Sequence, residues 1–209
     1  MKPRGDINSM NYHFSAYMYR LQYIQRWSLM RSNMSENVAE HSYHVALLTH
    51  MLCMIGNHYF DRELNAERAV TLALFHDASE VFTGDIATPV KHDNPLLLAN
   101  FREMERIAAA RLLSMTPTKL QPTYEGLLNP NPIDTQEQEL CKYVKAADRL
   151  DAYLKCTLEV ATGNREFEVA KKQTYQKLQL LEIPEMDYFL QHIAPSFEMS
   201  LDELAHPQS

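Results

Sequence analysis

The stretch His-Asp-Ala-Ser-Glu-Val-Phe-Thr-Gly-Asp occupies residues 76–85 and follows a segment rich in alanine and leucine. It places one histidine, three carboxylates and one glycine within ten residues. A helix that buries its apolar side accepts a carboxylate only if that group is paired, hydrogen-bonded or bound to a metal ion, because burying it alone is too costly. This stretch therefore indicates a polar site built into a helical core.

The rest of the chain repeats helical spacing with start and stop signals, without a convincing alternating strand pattern. The 209 residues are 45% hydrophobic and include only five glycines, which favours one ordered, helix-rich domain. The sequence predicts an all-α, single-domain helical bundle over residues 1–209, with flexible ends at residues 1–12 and 205–209. The predicted helices cover residues 15–23, 37 to beyond 52, 65–84, 95–115, 135–162, 165–181 and 185–193.

Local signals mark several of these boundaries. Asn37 with Glu40, and Thr135 with Gln138, resemble capping boxes, in which each of two side chains bonds to the backbone N–H of the other residue. The proline-rich segment 116–134 is predicted to be irregular, either as a lid or as a connector.

Charge and cysteine content limit the class of protein. The formal net charge of −7 and the lack of a basic run disfavour binding to nucleic acid polymers or to anionic membranes. No apolar run approaches the ~20 residues that a membrane helix needs. The three cysteines have no paired short spacing, so we expect neither a disulfide framework nor a thiolate zinc site. Together these features predict a cytoplasmic protein.

Four ionisable residues interrupt apolar stripes on three predicted helices: His41 on one, His76 and Asp77 on the next, and Asp148 on a third. Each of them alone is more often a satisfied core histidine or a hydrogen-bonded aspartate than a ligand. A single metal ion, however, would satisfy all four. Such a mixture of imidazoles and carboxylates suits Mn²⁺, Co²⁺, Fe²⁺ or Zn²⁺ better than Mg²⁺, which prefers oxygen ligands.

The order His…His-Asp…Asp, with 35 residues from His41 to His76 and 71 from Asp77 to Asp148, resembles the HD-domain superfamily of metal-dependent phosphohydrolases. Neighbouring segments are similar to the bacterial 5′-deoxynucleotidase (YfbR-like) branch of that superfamily. They include Arg26-Trp27, Glu-Asn-Val-Ala-Glu-His at 36–41, Thr-Pro-Val-Lys at 88–91 and Ala-Asp-Arg-Leu-Asp-Ala-Tyr-Leu-Lys-Cys at 147–156. The similarity extends from about residue 13 to residue 203.

The resemblance implies an enzyme that hydrolyses deoxyribonucleoside 5′-monophosphates to deoxynucleoside and phosphate. It also implies a homodimer with one divalent ion per subunit, Co²⁺, Mn²⁺ or another transition metal rather than Mg²⁺. By the same resemblance, the metal ligands are His41, His76, Asp77 and Asp148; the acid and base are Glu80 and Asp85; and the substrate contacts are Arg26, Trp27, Asp85, Thr88 and Lys91.

The residue types are compatible with these roles. Arg26 offers a planar fork of donors for phosphate oxygens, and Trp27, the only tryptophan, could pack on the sugar and crowd its 2′ position. Without the resemblance, Trp27 would be interpreted as core, Glu80 as a solvated helix carboxylate and Lys91 as a solvated loop lysine. Acid and base are not assigned between Glu80 and Asp85.

Two other functions stay open at this stage. An HD-domain phosphohydrolase of another substrate, a cyclic nucleotide or a nucleoside polyphosphate, would release a product other than inorganic phosphate alone. A non-catalytic HD module would bind a nucleotide, and be stabilised by it, without turnover.

Overall fold

The structure, a computed structural model, describes residues 11–87, 90, 94–130 and 134–206. These residues form helices and no strand, and an isolated antiparallel bridge joins Gln25 to Asn37. The predicted all-α, single-domain fold is therefore confirmed. The predicted flexible ends fall largely on residues 1–10 and 207–209, which lie outside the described residues. Among the described residues, no helix combines the length and the apolar character needed to cross a membrane.

Ten α-helices follow one another along the described chain. They are α1 (Phe14–Tyr19), α2 (Val38–Tyr59), α3 (Ala66–Phe75), α4 (Glu80–Thr83), α5 (Pro95–Ser114), α6 (Gln121–Leu128), α7 (Thr135–Ala161), α8 (Glu168–Gln179), α9 (Pro184–His192) and α10 (Leu201–Ala205). Short 3₁₀ helices occupy Arg20–Tyr23, Thr118–Leu120, Arg165–Phe167 and Ala194–Glu198.

The main core lies where α7, the longest of these helices, packs against α2, α3 and α8. Leu52 of α2, Leu72 of α3 and Leu150 of α7 are buried there, and α9 adds Met186 and Phe189. Burial of this apolar surface is the main favourable term in folding. The packing fixes α2, α3 and α7 relative to one another, and the candidate ligands lie on α2, on α7 and in the turn that follows α3.

Helix α2 begins as predicted. The Asn37 side chain accepts a hydrogen bond from the backbone N–H of Glu40, and the Glu40 side chain accepts one from the backbone N–H of Asn37. The predicted box at Thr135 is wrong, because Asp134 caps α7 and accepts from the backbone N–H groups of residues 136 and 137. Aspartate is preferred over threonine at this position.

The predicted continuous helix over 65–84 is wrong in its middle. Helix α3 ends at Phe75, residues 76–79 form turns, and α4 follows up to Gly84, whose φ of 72° lies in the left-handed region. Two bonds between residues three apart tighten the chain here, from His76 N–H to Ala73 O at 3.4 Å and from Ala78 N–H to Phe75 O at 3.1 Å. The short turn between α3 and α4 thus changes the direction in which neighbouring side chains point.

The proline-rich segment 116–134 is also more ordered than predicted. It contains the 3₁₀ helix at 118–120 and α6, with Pro122 in the first turn of α6. Proline fits the first turn of a helix because its missing N–H would have no partner inside the helix. Pro122 therefore marks a helix start, and the prediction of an irregular segment is wrong for residues 118–128.

Candidate active site

Three elements bring the four predicted ligands together. His41 Nε2, on α2, lies 3.2 Å from Asp148 Oδ1 of α7 and 3.4 Å from Asp77 Oδ2. His76 Nε2 lies 3.2 Å from the same Asp77 oxygen. His76 and Asp77 are adjacent in the chain but converge because they stand in the turn between α3 and α4. The structure thus assembles the whole predicted set, with His41 fully buried and Asp148 the most exposed at 43%.

The hydrogen bonds of the two imidazoles leave the same nitrogen of each ring facing the cluster. His41 Nδ1 lies 2.7 Å from Asp151 Oδ2, and His76 Nδ1 lies 2.7 Å from the carbonyl oxygen of Ala73. With Nδ1 donating a proton to each acceptor, the neutral form of each ring presents the lone pair of Nε2. Both Nε2 atoms are buried without a hydrogen-bond partner among the described residues. Imidazoles oriented in this way by a carboxylate or carbonyl are typical of metal ligands.

The charges of the cluster reinforce this fit. Burial by itself would lower the pKa of His41, but the carboxylates of Asp148, Asp151 and Asp77 raise it well above its usual value. Burial would raise the pKa of Asp77, but His76 and His41 hold it well below its usual value. The imidazoles and the carboxylates therefore favour each other's charged forms. A divalent cation can take over the positive charge of the imidazoles, and the residues present fit such an ion.

Arg26 and Trp27 lie at the edge of this cluster and share one acceptor. Glu36, which is 7% exposed, has Oε1 3.3 Å from Arg26 Nε and accepts a hydrogen bond from Trp27 Nε1 on Oε2 at 3.0 Å. Arg26 Nη1 lies 3.9 Å from Asp77 Oδ2. Burial would lower the pKa of Arg26, but the surrounding carboxylates raise it, so the guanidinium stays charged. A local cation is thus available in an acidic protein.

The backbone at Trp27 is unusual. Its φ of 57° lies in the left-handed region, which costs a non-glycine residue of order 1–3 kcal/mol and persists only where its surroundings enforce it. The Trp27 carbonyl accepts from Met30 N–H at 2.8 Å, and its ring packs on Phe167 with centroids 5.5 Å apart. Trp27 is therefore held in a defined position beside Arg26.

The remaining predicted site residues differ in their surroundings. Glu80 is the first residue of α4 and only 4% exposed, so the interpretation as a solvated helix carboxylate is wrong. It lines a cleft of about 340 Å³ together with His76 and Asp77. Asp85 is half-buried, and its charge contributes to the raised pKa of Arg26. The remaining two candidates, at residues 88 and 91, lie outside the described residues.

Two residues that contact the cluster were not assigned a role from the sequence. Asp151 follows Asp148 by three positions on the same face of α7. Glu36 immediately precedes the Asn37 cap. A backbone hydrogen bond from Arg26 N–H to Glu36 O at 2.9 Å places it beside Arg26 and Trp27. The three-residue spacing could have identified Asp151, whereas no local signal identifies Glu36.

Known proteins resemble this chain over most of its length. The family described as 5′-deoxynucleotidase YfbR-like matches residues 13–197. A 5′-deoxynucleotidase of Vibrio atlanticus (strain LGP32) is 46% identical over 193 residues, which make up 92% of this chain and 98% of that protein.

Two solved structures share the fold. An HD-domain phosphohydrolase of Listeria innocua gives a TM-score of 0.74 at 26% identity, over 92% of this chain and 93% of its own. A cyanophage S-2L HD phosphohydrolase, bound to dA and one catalytic Zn²⁺ ion, gives a TM-score of 0.56 at 21% identity, over 87% of this chain and 96% of its own.

Proposed function

Because the chain belongs to the YfbR-like 5′-deoxynucleotidase family and is a phosphate monoester hydrolase, we propose that it converts deoxyribonucleoside 5′-monophosphates to deoxynucleoside and inorganic phosphate. The observation that carries the proposal is the pair of buried Nε2 atoms of His41 and His76, which face Asp77 and Asp148 while both Nδ1 atoms are engaged elsewhere. This arrangement supports a metal-dependent site in which this family's reaction can take place.

We propose one divalent ion per subunit, held by His41, His76, Asp77 and Asp148. Two imidazoles and two carboxylates suit Co²⁺, Mn²⁺ or another transition metal, and Mg²⁺ less. Such an ion, when bound, supplies Lewis-acid activation of water and offsets the negative charge of the phosphate.

Arg26 binds the phosphate group in this proposal. Its guanidinium is charged, 12% exposed and oriented by Glu36, so it presents a preformed fork of donors beside the ligand cluster. The acidic protein otherwise repels a nucleotide, and Arg26 provides the local positive charge that offsets this repulsion. The residues at 88 and 91 are added as substrate contacts by the family resemblance alone.

Glu80 and Asp85 act as the general acid and the general base in this proposal. Hydrolysis requires that the attacking water lose a proton and that the leaving 5′-oxygen gain one. Glu80 lines the cleft beside His76 and Asp77, and Asp85 follows Gly84 within electrostatic reach of Arg26. Replacing Glu80 by Gln is expected to lower kcat by about 10²- to 10⁴-fold, the usual contribution of a general acid or base.

Trp27 provides the preference for deoxyribose. Its ring is fixed beside Arg26, so a sugar attached to a phosphate at Arg26 comes within reach of the indole. A ring that crowds the 2′ position leaves an added hydroxyl without space or a partner. Discrimination by an apolar surface against an added hydroxyl is modest, about 10²-fold at most.

The decisive experiment is phosphate release from deoxy- and ribonucleoside 5′-monophosphates by protein stripped of metal and resupplied with Co²⁺, Mn²⁺, Zn²⁺ or Mg²⁺ in turn. Asp77→Asn is the test variant, and Asp187→Asn, at an exposed position of α9, is the matched control. We expect metal-restored, deoxy-preferring release that is lost only in the Asp77 variant. Release of pyrophosphate, opening of a cyclic ester, or binding without turnover would overturn the proposal.

We also propose that the chain forms a homodimer, with one HD domain per subunit. Helix α2 exposes an apolar stripe of Tyr43, Leu47 and Met51, which are 59%, 53% and 43% exposed and spaced four residues apart. Such stripes on soluble proteins mark interaction surfaces. Light scattering should give a dimer mass for the parent and a monomer mass for Leu47→Asp, whereas Leu180→Asp, at a site 80% exposed, should remain dimeric.

We also propose a cytoplasmic location, again from the state of the cysteines. The cysteines are unpaired in the structure, and burial raises the pKa of Cys53 to about 12 and that of Cys156 to about 11. Unpaired buried thiols suit a reducing compartment. Cell fractionation of the tagged protein would test the location.

A further inference from the structure

A second buried ionic cluster lies on α7, outside the candidate active site. Glu159 is fully buried, and its carboxylate accepts bonds from Lys155 Nζ at 2.6 Å, Asn33 N–H at 2.8 Å, Met34 N–H at 3.0 Å and Asn164 Nδ2 at 2.8 Å. Burial would raise the pKa of Glu159, but these donors lower it to about 2. These four donors compensate the cost of burying the carboxylate, and removing one of the partners would leave a buried charge without compensation.

This cluster anchors the backbone of residues 31–34. Besides the two N–H groups that bond to Glu159, the Met34 carbonyl accepts from Lys155 Nζ at 2.5 Å. The Arg31 carbonyl accepts from Asn164 Nδ2 at 2.8 Å. Four backbone groups of this short segment are thus tied to side chains of α7 and of the residue just before the 3₁₀ helix at 165–167.

The same cluster also supports the ring on which Trp27 packs. Phe167 is fully buried, Lys155 Nζ lies 5.8 Å from the centroid of its ring, and the Trp27 ring lies 5.5 Å from it. The anchored segment begins four residues after Trp27, beyond the turn closed by Met30 N–H. Glu159 and Lys155 therefore act on Trp27 from two sides, through the backbone that follows it and through Phe167.

We propose that Glu159, together with Lys155, is a positioning residue that holds the Trp27 indole over the sugar site and so maintains selectivity for deoxyribose. Glu159 is not one of the candidate ligands and acts through residues 31–34 and Phe167. The left-handed φ of 57° at Trp27 needs support from its surroundings, and these contacts add to the bond from Met30 N–H to the Trp27 carbonyl. The inference rests on the sugar role proposed above for Trp27.

Trp27 is the only tryptophan, so its fluorescence reports its own environment independently of activity. In Glu159→Gln the charge that organises the cluster is removed while the shape is kept. We expect a red-shifted emission, faster quenching by acrylamide and a several-fold fall in the ratio of kcat/KM for deoxy- over ribonucleotide. Glu166→Gln is the matched control. Glu166 precedes Phe167 in the chain and pairs with Arg31, whose side chain is 88% exposed, so this variant should change neither the emission nor the selectivity.

A second variant covers the case in which Glu159→Gln fails to fold. Asn164→Ser removes the amide that donates to Arg31 O and Glu159, but keeps a side-chain oxygen to cap the 3₁₀ helix at 165–167. Thermal unfolding followed by circular dichroism identifies which variants are folded. The same changes in emission and selectivity, smaller in size, are expected from Asn164→Ser.

Trp27→Leu separates this inference from the proposed function. If folded Glu159→Gln and Asn164→Ser keep the parent emission, or keep the parent selectivity while Trp27→Leu loses it, the positioning role is wrong and the sugar role of Trp27 stands. If Trp27→Leu itself leaves the selectivity unchanged, the sugar role is wrong, and the inference about selectivity falls with it.

Discussion

At the scale of single residues, His41 is bounded by carboxylates on both nitrogens. Asp151 accepts a hydrogen bond from Nδ1–H at 2.7 Å, and Asp77 and Asp148 approach Nε2 at 3.4 Å and 3.2 Å. The first contact fixes the ring and its tautomer, and the second pair gathers the negative charge that a cation needs. Replacing Asp151 should weaken metal binding because the ring is no longer oriented. Replacing Asp77 or Asp148 should weaken it because negative charge at the ion is lost.

Asp151→Asn tests the orienting contact. The amide can still accept from Nδ1, but it lacks the charge that makes the imidazole a better donor of its lone pair to a metal ion. Loss of such a supporting carboxylate typically lowers metal affinity by about 10- to 100-fold. Competition titration against a chelator would measure this change. Glu139→Gln, at a carboxylate on the same helix that is 40% exposed, should bind metal like the parent. Equal affinities in both variants would contradict the role of Asp151.

The raised pKa of His41 predicts how metal binding depends on pH. In the metal-free protein His41 holds its proton to a higher pH than usual, because of Asp148, Asp151 and Asp77. A metal ion must displace that proton, so affinity should rise as pH increases from acid through neutral. Calorimetric titration in buffers of different ionisation enthalpy should detect proton release near neutral pH. Metal binding without proton release would contradict this protonation state.

At the scale of elements, the clearest difference between sequence and structure is the break between α3 and α4. Periodicity predicted one helix over 65–84 because the apolar positions on both sides of the break share a helical phase. The turn at 76–79 is stabilised by contacts distant in sequence, since Ala78 packs with Phe14 of α1 and Leu112 of α5. Local propensity carries no information about such partners, whereas the helices that bury long apolar stripes, α2 and α7, were predicted well.

The cap of α2 is an element-scale contribution to the site. Asn37 accepts from Glu40 N–H at 3.0 Å at the start of the helix that carries His41. Asn37→Ala is expected to lower the free energy of unfolding by about 1 kcal/mol, the usual value of such a cap. Urea unfolding would measure it, and Asn37→Asp, which keeps the acceptor, should be close to the parent. Equal stability of Asn37→Ala and the parent would mean that the cap seen here is not made in solution.

At the scale of the whole molecule, the candidate site joins residues from α2, from α7, from the turn between α3 and α4 and from the extended segment before α2. His41, His76, Asp77 and Asp148 stood out because each interrupts an apolar stripe, and the family resemblance predicted that they are ligands. The structure brings them together. Glu36 could not be predicted, since its neighbours Arg26 and Trp27 reach it through the bridge between residues 25 and 37. Spacing identifies residues on one helix face, but not contacts made by a non-helical segment.

The ionic cluster at Glu159 gives a prediction for acid unfolding of the molecule. Its pKa is lowered from the usual 4.5 to about 2 in the folded protein, so its stabilising contribution is complete above the usual value and is lost as pH falls toward about 2. Parent and Glu159→Gln should therefore differ most in unfolding free energy at neutral pH and converge in acid. Urea unfolding at both ends of this range would measure the difference, and a difference independent of pH would argue against a buried ionised carboxylate.

The left-handed backbone at Trp27 has a consequence for attempts to improve the protein. By backbone preference alone, glycine is the favoured residue at a φ of 57°, and replacing tryptophan by glycine there relieves local strain. A directed-evolution experiment that rewards heat tolerance alone can select glycine at this position, and so discard the indole, wherever the relieved strain exceeds the lost packing on Phe167. Substrate discrimination would then erode without any loss of soluble protein, so a useful screen must reward rejection of ribonucleotides together with thermal resistance.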